Sequence, residues 1–140
     1  MRISARNQLA GKILNVSKGA VNAEVTIALE GGEAVVAIIT NSSVDSLELA
    51  KGNAAFAIVK ASEVMIGKDM QGARLSARNV LSGEVAKVND GAVNSEVVVR
   101  LPRGTEVTAS ITKESAKNLG LKKGDKVSVI VKASNVLVGV

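Results

Sequence analysis

The 140-residue sequence contains no cysteine and no histidine. Without cysteine the chain can form no disulfide framework, no thiolate zinc site and no cysteine nucleophile. Because histidine is also missing, transition-metal cations lack their usual ligands and general acid–base catalysis lacks its commonest side chain. These two absences argue against a metal centre, against a bound cofactor and against most classes of enzyme.

Aromatic residues are almost absent as well, since Phe56 is the only one. Proteins that bind single-stranded nucleic acid stack the bases on aromatic side chains, and one phenylalanine cannot supply two such platforms. The sequence has no apolar run long enough to cross a bilayer, and its first residues lack the apolar core of a signal peptide. We therefore expect a cytoplasmic protein that binds neither nucleic acid nor membrane.

The residues that are present are small and apolar, and the charge is uneven. Hydrophobic residues make up 46% of the chain, mostly Val, Ala, Ile and Leu, which suits closely packed strands. The net charge is +5; residues 3–67 carry five Lys/Arg against six Asp/Glu, whereas residues 75–139 carry ten against six. The basic second half favours an anionic partner, although an exposed lysine-rich helix and loop explain part of the surplus.

The chain is an internal repeat. A shift of 72 positions superposes residues 3–67 on residues 75–139 without a gap, and 31 of the 65 aligned positions are identical. The identities fall in four blocks, SARN, GAVN, T-x-x-S and KAS, each found twice in the same order. The repeat predicts a first domain at 1–67, a polar linker at 68–74 and a second domain at 75–140.

Each unit has the same order of predicted elements. Segments 23–29 and 95–101 are rich in β-branched residues and bounded by turn sequences, as strands are. A hairpin partner follows, then a helix at 41–52 or 113–124 with Thr40 or Thr112 as its N-cap, then a third strand and a short closing strand, SEVMIG or SNVLVG. This order predicts an all-β protein of two tandem, small, OB-like Greek-key barrels, each of about five strands with one short helix.

The shared apolar and glycine positions predict the core and the turns. The predicted core positions are Leu9, Leu81, Val25, Val97, Ile39, Ile111, Ile58 and Ile130, and the predicted turn glycines are Gly19, Gly91, Gly52 and Gly124. A barrel of this size is marginally stable alone, and the apolar final strands offer edges for pairing. We therefore expect the two barrels to pack together and the chain to form an oligomer.

The shared polar positions favour an anion. They are Ser4, Arg6, Asn7, Asn22, Thr40, Ser43, Lys60 and Ser62, with their counterparts 72 positions later. None is a carboxylate, and all can donate hydrogen bonds, Asn7 and Asn22 through their amides. Donors of this kind, together with a helix N-terminus, suit a compact oxyanion.

Other interpretations of these residues stay open. Thr40 and Ser43 would also serve only to cap a helix, Arg6 would also pair with Glu24 or another acid, and Lys60–Ser62 would also simply lead out of a strand. A Ser62–Lys60 dyad is formally possible as a catalytic pair, but no oxyanion hole or S-x-x-K motif accompanies it. Two non-catalytic alternatives are an OB-type single-stranded nucleic-acid-binding protein and a purely structural oligomer.

The four ordered blocks, found twice, resemble the Mop domain, the molybdate-binding module of the molbindin family, in its tandem di-Mop form. The resemblance implies an OB-like barrel, a homotrimer, and non-catalytic binding of molybdate or tungstate at subunit interfaces for intracellular molybdenum storage or homeostasis. The implied oxyanion-binding residues are Ser4, Arg6, Thr40, Ser43, Lys60, Ala61 and Ser62, and in the second unit Ser76, Arg78, Thr112, Ser115, Lys132, Ala133 and Ser134. A second type of site near the symmetry axis would use Ala20, Val21, Asn22, Ala92, Val93 and Asn94.

Overall fold

The computed structural model describes residues 1–140 and contains two five-stranded antiparallel sheets. The first unit contributes strands β1 (Asn7–Lys18), β2 (Asn22–Leu29), β3 (Ala34–Thr40), β4 (Ala54–Val59) and β5 (Met65–Gly67). The second unit contributes β6 (Asn79–Asp90), β7 (Asn94–Arg100), β8 (Glu106–Thr112), β9 (Lys126–Val131) and β10 (Leu137–Gly139). Helices α1 (Asn41–Ser46) and α2 (Lys113–Asn118) follow β3 and β8, and 3-10 turns lie at Ala61–Glu63 and Ala133–Asn135. The predicted fold class is confirmed.

The two units exchange their last strands. β5 of the first unit pairs antiparallel with β9, and β10 of the second unit pairs antiparallel with β4. The sheet orders are therefore β10-β4-β1-β2-β3 and β5-β9-β6-β7-β8. β10 also lies against β3, and β5 against β8, so the two edges of each sheet approach each other as in a small barrel. Each short strand was predicted to close its own unit, and it closes the other one instead.

The core is continuous across both units. Strand side chains alternate between a buried and a partly exposed face, so that Val25 and Val97 are fully buried. Ile58 and Ile130 are buried as predicted, while the predicted core residues Leu9, Leu81, Ile39 and Ile111 are partly buried against a single cluster drawn from both units. The exchanged strands and this cluster therefore join the two units in one packed core.

The predicted turn glycines are confirmed on two different grounds. Gly52 and Gly124 have φ values of +91° and +95°, a conformation that residues with a Cβ rarely adopt. Gly19 and Gly91 have no such φ, but a Cβ there would lie 3.0 Å and 2.7 Å from the carbonyl oxygen three residues later. The sequence block GAVN is thus a tight turn because its glycine permits close backbone approach.

The helices are shorter than the sequence predicted. α1 ends at Ser46 rather than at residue 52, because the chain then turns inward to bury Leu49. Glu48, between them, has a φ of +51°, which ends the helix in the left-handed conformation. Neither helix is long and apolar enough to cross a membrane.

Candidate oxyanion-binding site

Five of the predicted site residues of the second unit line one cavity. The cavity has a volume of about 540 Å³, and these residues are Ser76, Arg78, Lys132, Ala133 and Ser134. The SARN and KAS blocks, more than fifty residues apart in the sequence, therefore meet in space. Two basic side chains and two hydroxyls face the same volume, which is the donor chemistry predicted for an oxyanion.

The local backbone explains why Lys132 reaches this cavity. Strand β9 ends at the buried Val131, and Lys132 follows with extended dihedral angles as the N-cap, immediately before the 3-10 turn. The turn buries Ala133 and leaves Lys132 and Ser134 exposed. Lys132 takes part in no ion pair within the chain, so its ammonium charge is available to a ligand.

Residues of the first unit complete the wall of the cavity. Ile38 of β3 and all three residues of β5 line it, together with Met70 of the linker. β5 lies there because it pairs with β9 through the strand exchange, with Met65 opposite Ile130. The cavity is therefore built by both units of one chain, whereas the resemblance implied sites at subunit interfaces and drew each set of site residues from one unit.

Both SARN arginines form ion pairs with a glutamate of the opposite unit. Arg6 Nη1 lies 2.8 Å from Glu96 Oε2, and Arg78 Nη1 lies 2.5 Å from Glu24 Oε1. The hydrogen bond from Arg6 lowers the pKa of the Glu96 carboxyl and raises the pKa of the guanidinium. The alternative that an arginine pairs with an acid is correct, but Glu24 is the partner of Arg78, not of Arg6.

The asparagine that follows each arginine is one of the shared polar positions but not one of the implied oxyanion-binding residues, and its side chain bonds to the backbone of the opposite unit. Asn7 Nδ2 donates to the carbonyl of Thr108 and its Oδ1 accepts from the Thr108 amide, both at 2.8 Å. Asn79 makes the same two bonds to Val36, also at 2.8 Å. The sequence signal for this role was that asparagine occupies both equivalent positions, 7 and 79. A sequence does not distinguish a buried hydrogen-bond donor from an exposed one.

The T-x-x-S blocks cap the helices. The Thr40 hydroxyl accepts a hydrogen bond from the Ser43 amide at 3.1 Å, and Thr112 accepts from Ser115 at 3.0 Å. The predicted N-caps are thus confirmed. Thr112 and Ser115 do not line the cavity that holds the other five residues of their set.

The first set of predicted residues occupies equivalent positions. Lys60 follows β4 and precedes the 3-10 turn with Ala61 and Ser62, and like Lys132 it takes part in no ion pair. The two turns bond to each other, since Asn135 Nδ2 donates to Glu63 Oε2 at 3.0 Å across equivalent positions. This contact and the reciprocal arginine and asparagine contacts relate the units by an approximate twofold axis, as in an isologous interface.

The GAVN turns expose backbone donors. The amides of Ala20, Val21, Ala92 and Val93 donate to no acceptor within the chain. The side chains of Val21 and Val93 are 69% and 73% exposed, which is unusual for valine. Asn22 and Asn94 use their carbonyls to close the turn onto Gly19 and Gly91. The predicted second type of site therefore offers unpaired amides beside exposed apolar side chains.

A larger cavity of about 750 Å³ contains none of the predicted residues. It lies between the linker and the second sheet, where Lys126 pairs with Glu84 and Arg100 pairs with Glu106 at 2.9 and 3.0 Å. Because these basic side chains are paired with glutamates, they attract an anion less than the unpaired Lys132 does. The larger volume therefore does not make this cavity the better candidate.

Comparison with known proteins identifies the family. The TOBE domain matches residues 3–66 and again residues 75–138. The chain is 42% identical over 140 residues to the molybdenum transport protein ModE of Azotobacter vinelandii, covering 100% of this chain and 52% of that protein. It is 43% identical over 137 residues to the molybdenum-pterin-binding protein MopA of Rhodobacter capsulatus, covering 98% and 52%. The chain thus spans about half the length of these curated relatives.

A solved structure is similar over the whole chain. The cytoplasmic molybdate-binding protein ModG, crystallised with molybdate bound, superposes with a TM-score of 0.97 at 49% sequence identity, covering 100% of this chain and 99% of that one. Two matches to one domain and this full-length likeness agree with the repeat found in the sequence. The chain belongs to the TOBE-domain family and carries two such domains in tandem.

Proposed function

We propose that this protein binds molybdate as an intact oxyanion, without catalysis. The ligands are the Arg, Lys, Ser and Thr side chains of the repeated blocks together with backbone amides. The observation that carries the proposal is the cavity in which Ser76, Arg78, Lys132, Ala133 and Ser134 meet.

The chemistry of the donors supports an oxyanion over a metal cation. The polar side chains in the otherwise apolar lining of the cavity are two hydroxyls, an ammonium and a guanidinium, and none is a carboxylate, imidazole or thiolate. No group of three or more His, Cys, Asp or Glu side chains in the chain could hold a metal ion. A tetrahedral dianion needs only hydrogen-bond donors and positive charge, so the protein never has to contact the metal itself.

The relatives support molybdenum as the central atom. ModG binds molybdate, and the curated relatives are named for molybdenum transport or for molybdenum-pterin binding. We propose tungstate as a second ligand, a role in molybdenum storage or homeostasis, and a cytoplasmic location like that of ModG. Pterin is less favoured, because Phe56, the only aromatic side chain, does not line the cavity.

We further propose that the chain assembles as a homotrimer with oxyanion sites at the subunit interfaces. Exposed apolar side chains support self-association, among them Val21, Val93, Met65 and Leu137. A ligand held by two chains would stabilise the assembly by mass action. The second type of site, at the GAVN turns, would then form where three copies of the turn come together.

Isothermal titration calorimetry of the whole protein tests the proposal. We expect saturable heat with molybdate and tungstate, and none with sulfate, a pterin or a single-stranded oligonucleotide. Lys132→Ala should remove one class of site, whereas Lys123→Ala, an exposed lysine outside this cavity, should leave it unchanged. Absence of heat with molybdate, or equal heat with sulfate, contradicts molybdate as the ligand; a response to the oligonucleotide favours the nucleic-acid alternative.

A further inference from the structure

Asn79 is a buried residue that directly follows Arg78, which lines the candidate cavity. Its side chain is bonded at both ends to Val36 of β3, donating to the carbonyl and accepting from the amide, and the residue is 3% exposed. Val36 lies two residues before Ile38, which lines the cavity. Asn79 is also the first residue of β6, directly after the segment that carries Ser76 and Arg78. The amide thus ties that segment to the opposite unit.

Asn7 repeats this arrangement across the approximate twofold axis. It is 2% exposed and bonds in the same way to Thr108, the counterpart of Val36. The preceding arginine of each block contacts the opposite unit too, through Glu96 or Glu24. Two consecutive residues therefore fasten each SARN segment to two adjacent strands of the opposite unit. These strands are β7 and β8 for the first segment, and β2 and β3 for the second.

We infer that Asn7 and Asn79 are positioning residues, which set each oxyanion site by fixing the preceding Ser-Ala-Arg segment on the opposite unit. The inference rests on the proposed function. The asparagine side chains themselves are buried, and the nitrogen and oxygen of each are bonded to a backbone partner, so they act without contacting the ligand. Each acts through the neighbouring serine and arginine.

The arginine remains able to reach a ligand in this arrangement. Arg78 uses Nη1 for its hydrogen bond to Glu24, and a guanidinium has five N–H donors in a fixed fork. The glutamate and the asparagine thus hold the fork in place, while the other donors stay available to the cavity. Loss of the asparagine would leave only the exposed ion pair, which is a weak constraint.

The test compares Asn79→Ala with Asn7→Ala in two backgrounds. In Lys60→Ala only the proposed site containing Lys132 keeps its lysine, and in Lys132→Ala only the proposed site containing Lys60 does. We expect Asn79→Ala to weaken molybdate binding about 10- to 100-fold in the first background, and Asn7→Ala to do so in the second. Each asparagine variant should change the affinity of the other site by less than about threefold, because packing losses at distant positions are independent.

A second variant separates positioning from folding. Asn79→Asp keeps the acceptor for the Val36 amide, but its carboxylate faces the Val36 carbonyl, so binding should be weak at neutral pH. When protonated, the aspartic acid can donate to that carbonyl, and the affinity should recover as the pH falls, whereas the parent protein shows no such recovery. Folded asparagine variants with unchanged affinity, or Asn79→Asp without recovery, overturn the inference. A parent protein that binds no molybdate overturns the proposed function and this inference with it.

Discussion

The outer faces of the two sheets differ although their backbones follow the same plan. At four positions opposite the core, the first sheet presents small or apolar side chains where the second presents polar ones. The four pairs of equivalent residues are Ala10 and Ser82, Ala28 and Arg100, Ala54 and Lys126, and Phe56 and Ser128. The polar residues of the second sheet lie beside the larger cavity.

The contacts between the units do not differ in this way. Both arginines pair with a glutamate, both asparagines bond to a strand backbone, and both short strands cross to the other sheet. The repeat has thus kept the arginine, glutamate and asparagine side chains that join the units. The comparison teaches that this small protein is built around its internal interface, so a change that unfolds one unit should also destabilise the other.

The strand exchange gives the largest expected effect. Deletion of residues 137–140 removes β10, which belongs to the second unit but pairs with β4 of the first. We expect a loss of roughly 3 kcal/mol of stability, similar to a large core truncation, with amide protection lost first in β4. Hydrogen exchange measures this, with deletion of Val140 alone as the control. Loss of amide protection confined to β9 would contradict the pairing of β10 with β4.

Two equivalent glycines differ in the space around them. A Cβ on Gly11 would lie 2.2 Å from the carbonyl oxygen of Ala28, whereas a Cβ on Gly83 would meet a side-chain methyl of Val99 at 2.7 Å and the Arg100 carbonyl oxygen at 2.8 Å. Gly11→Ala should therefore destabilise by about 3 kcal/mol and Gly83→Ala by about 1–2 kcal/mol. Urea unfolding of both variants measures the difference in their free energies of unfolding. Equal losses would show that the backbone around Gly11 adjusts to a Cβ as easily as the surroundings of Gly83 do.

The ends of the helices offer a smaller comparison. Glu48 has a φ of +51° where the second unit has Gly120 with a φ of +59°. A non-glycine residue is disfavoured in this conformation, so Glu48→Gly should stabilise the protein by about 0.5–1 kcal/mol. Gly120→Ala should have the opposite effect. Thermal unfolding of the two variants checks both signs; destabilisation by Glu48→Gly would mean that the glutamate side chain is needed.

The smallest expected effect is a dependence on pH. Because the hydrogen bond from Arg6 lowers the pKa of Glu96 in the folded state, its contribution is present above the unfolded-state pKa of about 4.3 and is lost as the pH falls through the lower value. Glu96→Gln should therefore reduce the loss of stability on acidification. The urea midpoints of the parent protein and the variant at about pH 7 and about pH 3 measure this loss. If both proteins lose the same stability on acidification, the Arg6–Glu96 pair has no role in it.

Much of the fold could be predicted because its signals are local. The β-branched runs of β2 and β7, the caps at Thr40 and Thr112 and the glycines of the turns are properties of short segments. The strand exchange could not be predicted, since SEVMIG and SNVLVG are equivalent and nothing local selects one sheet over the other. For the same reason the partners of Arg6 and Asn7 in the opposite unit could not be predicted from the sequence. The hydrogen-bond donors of the cavity could be predicted, because they follow from residue types alone.

The central claim is that residues from both units form a site for the oxyanion. A crystal grown with molybdate, with diffraction data collected above the molybdenum absorption edge, tests it most directly. We predict an anomalous peak among Ser76, Arg78, Lys132 and Ser134 of the second unit and beside Ile38 and Ile66 of the first, and its loss in Lys132→Ala crystals grown alongside. Molybdenum bound only elsewhere, for instance in the larger cavity beside Lys126 and Arg100, or no peak at all, would contradict the account.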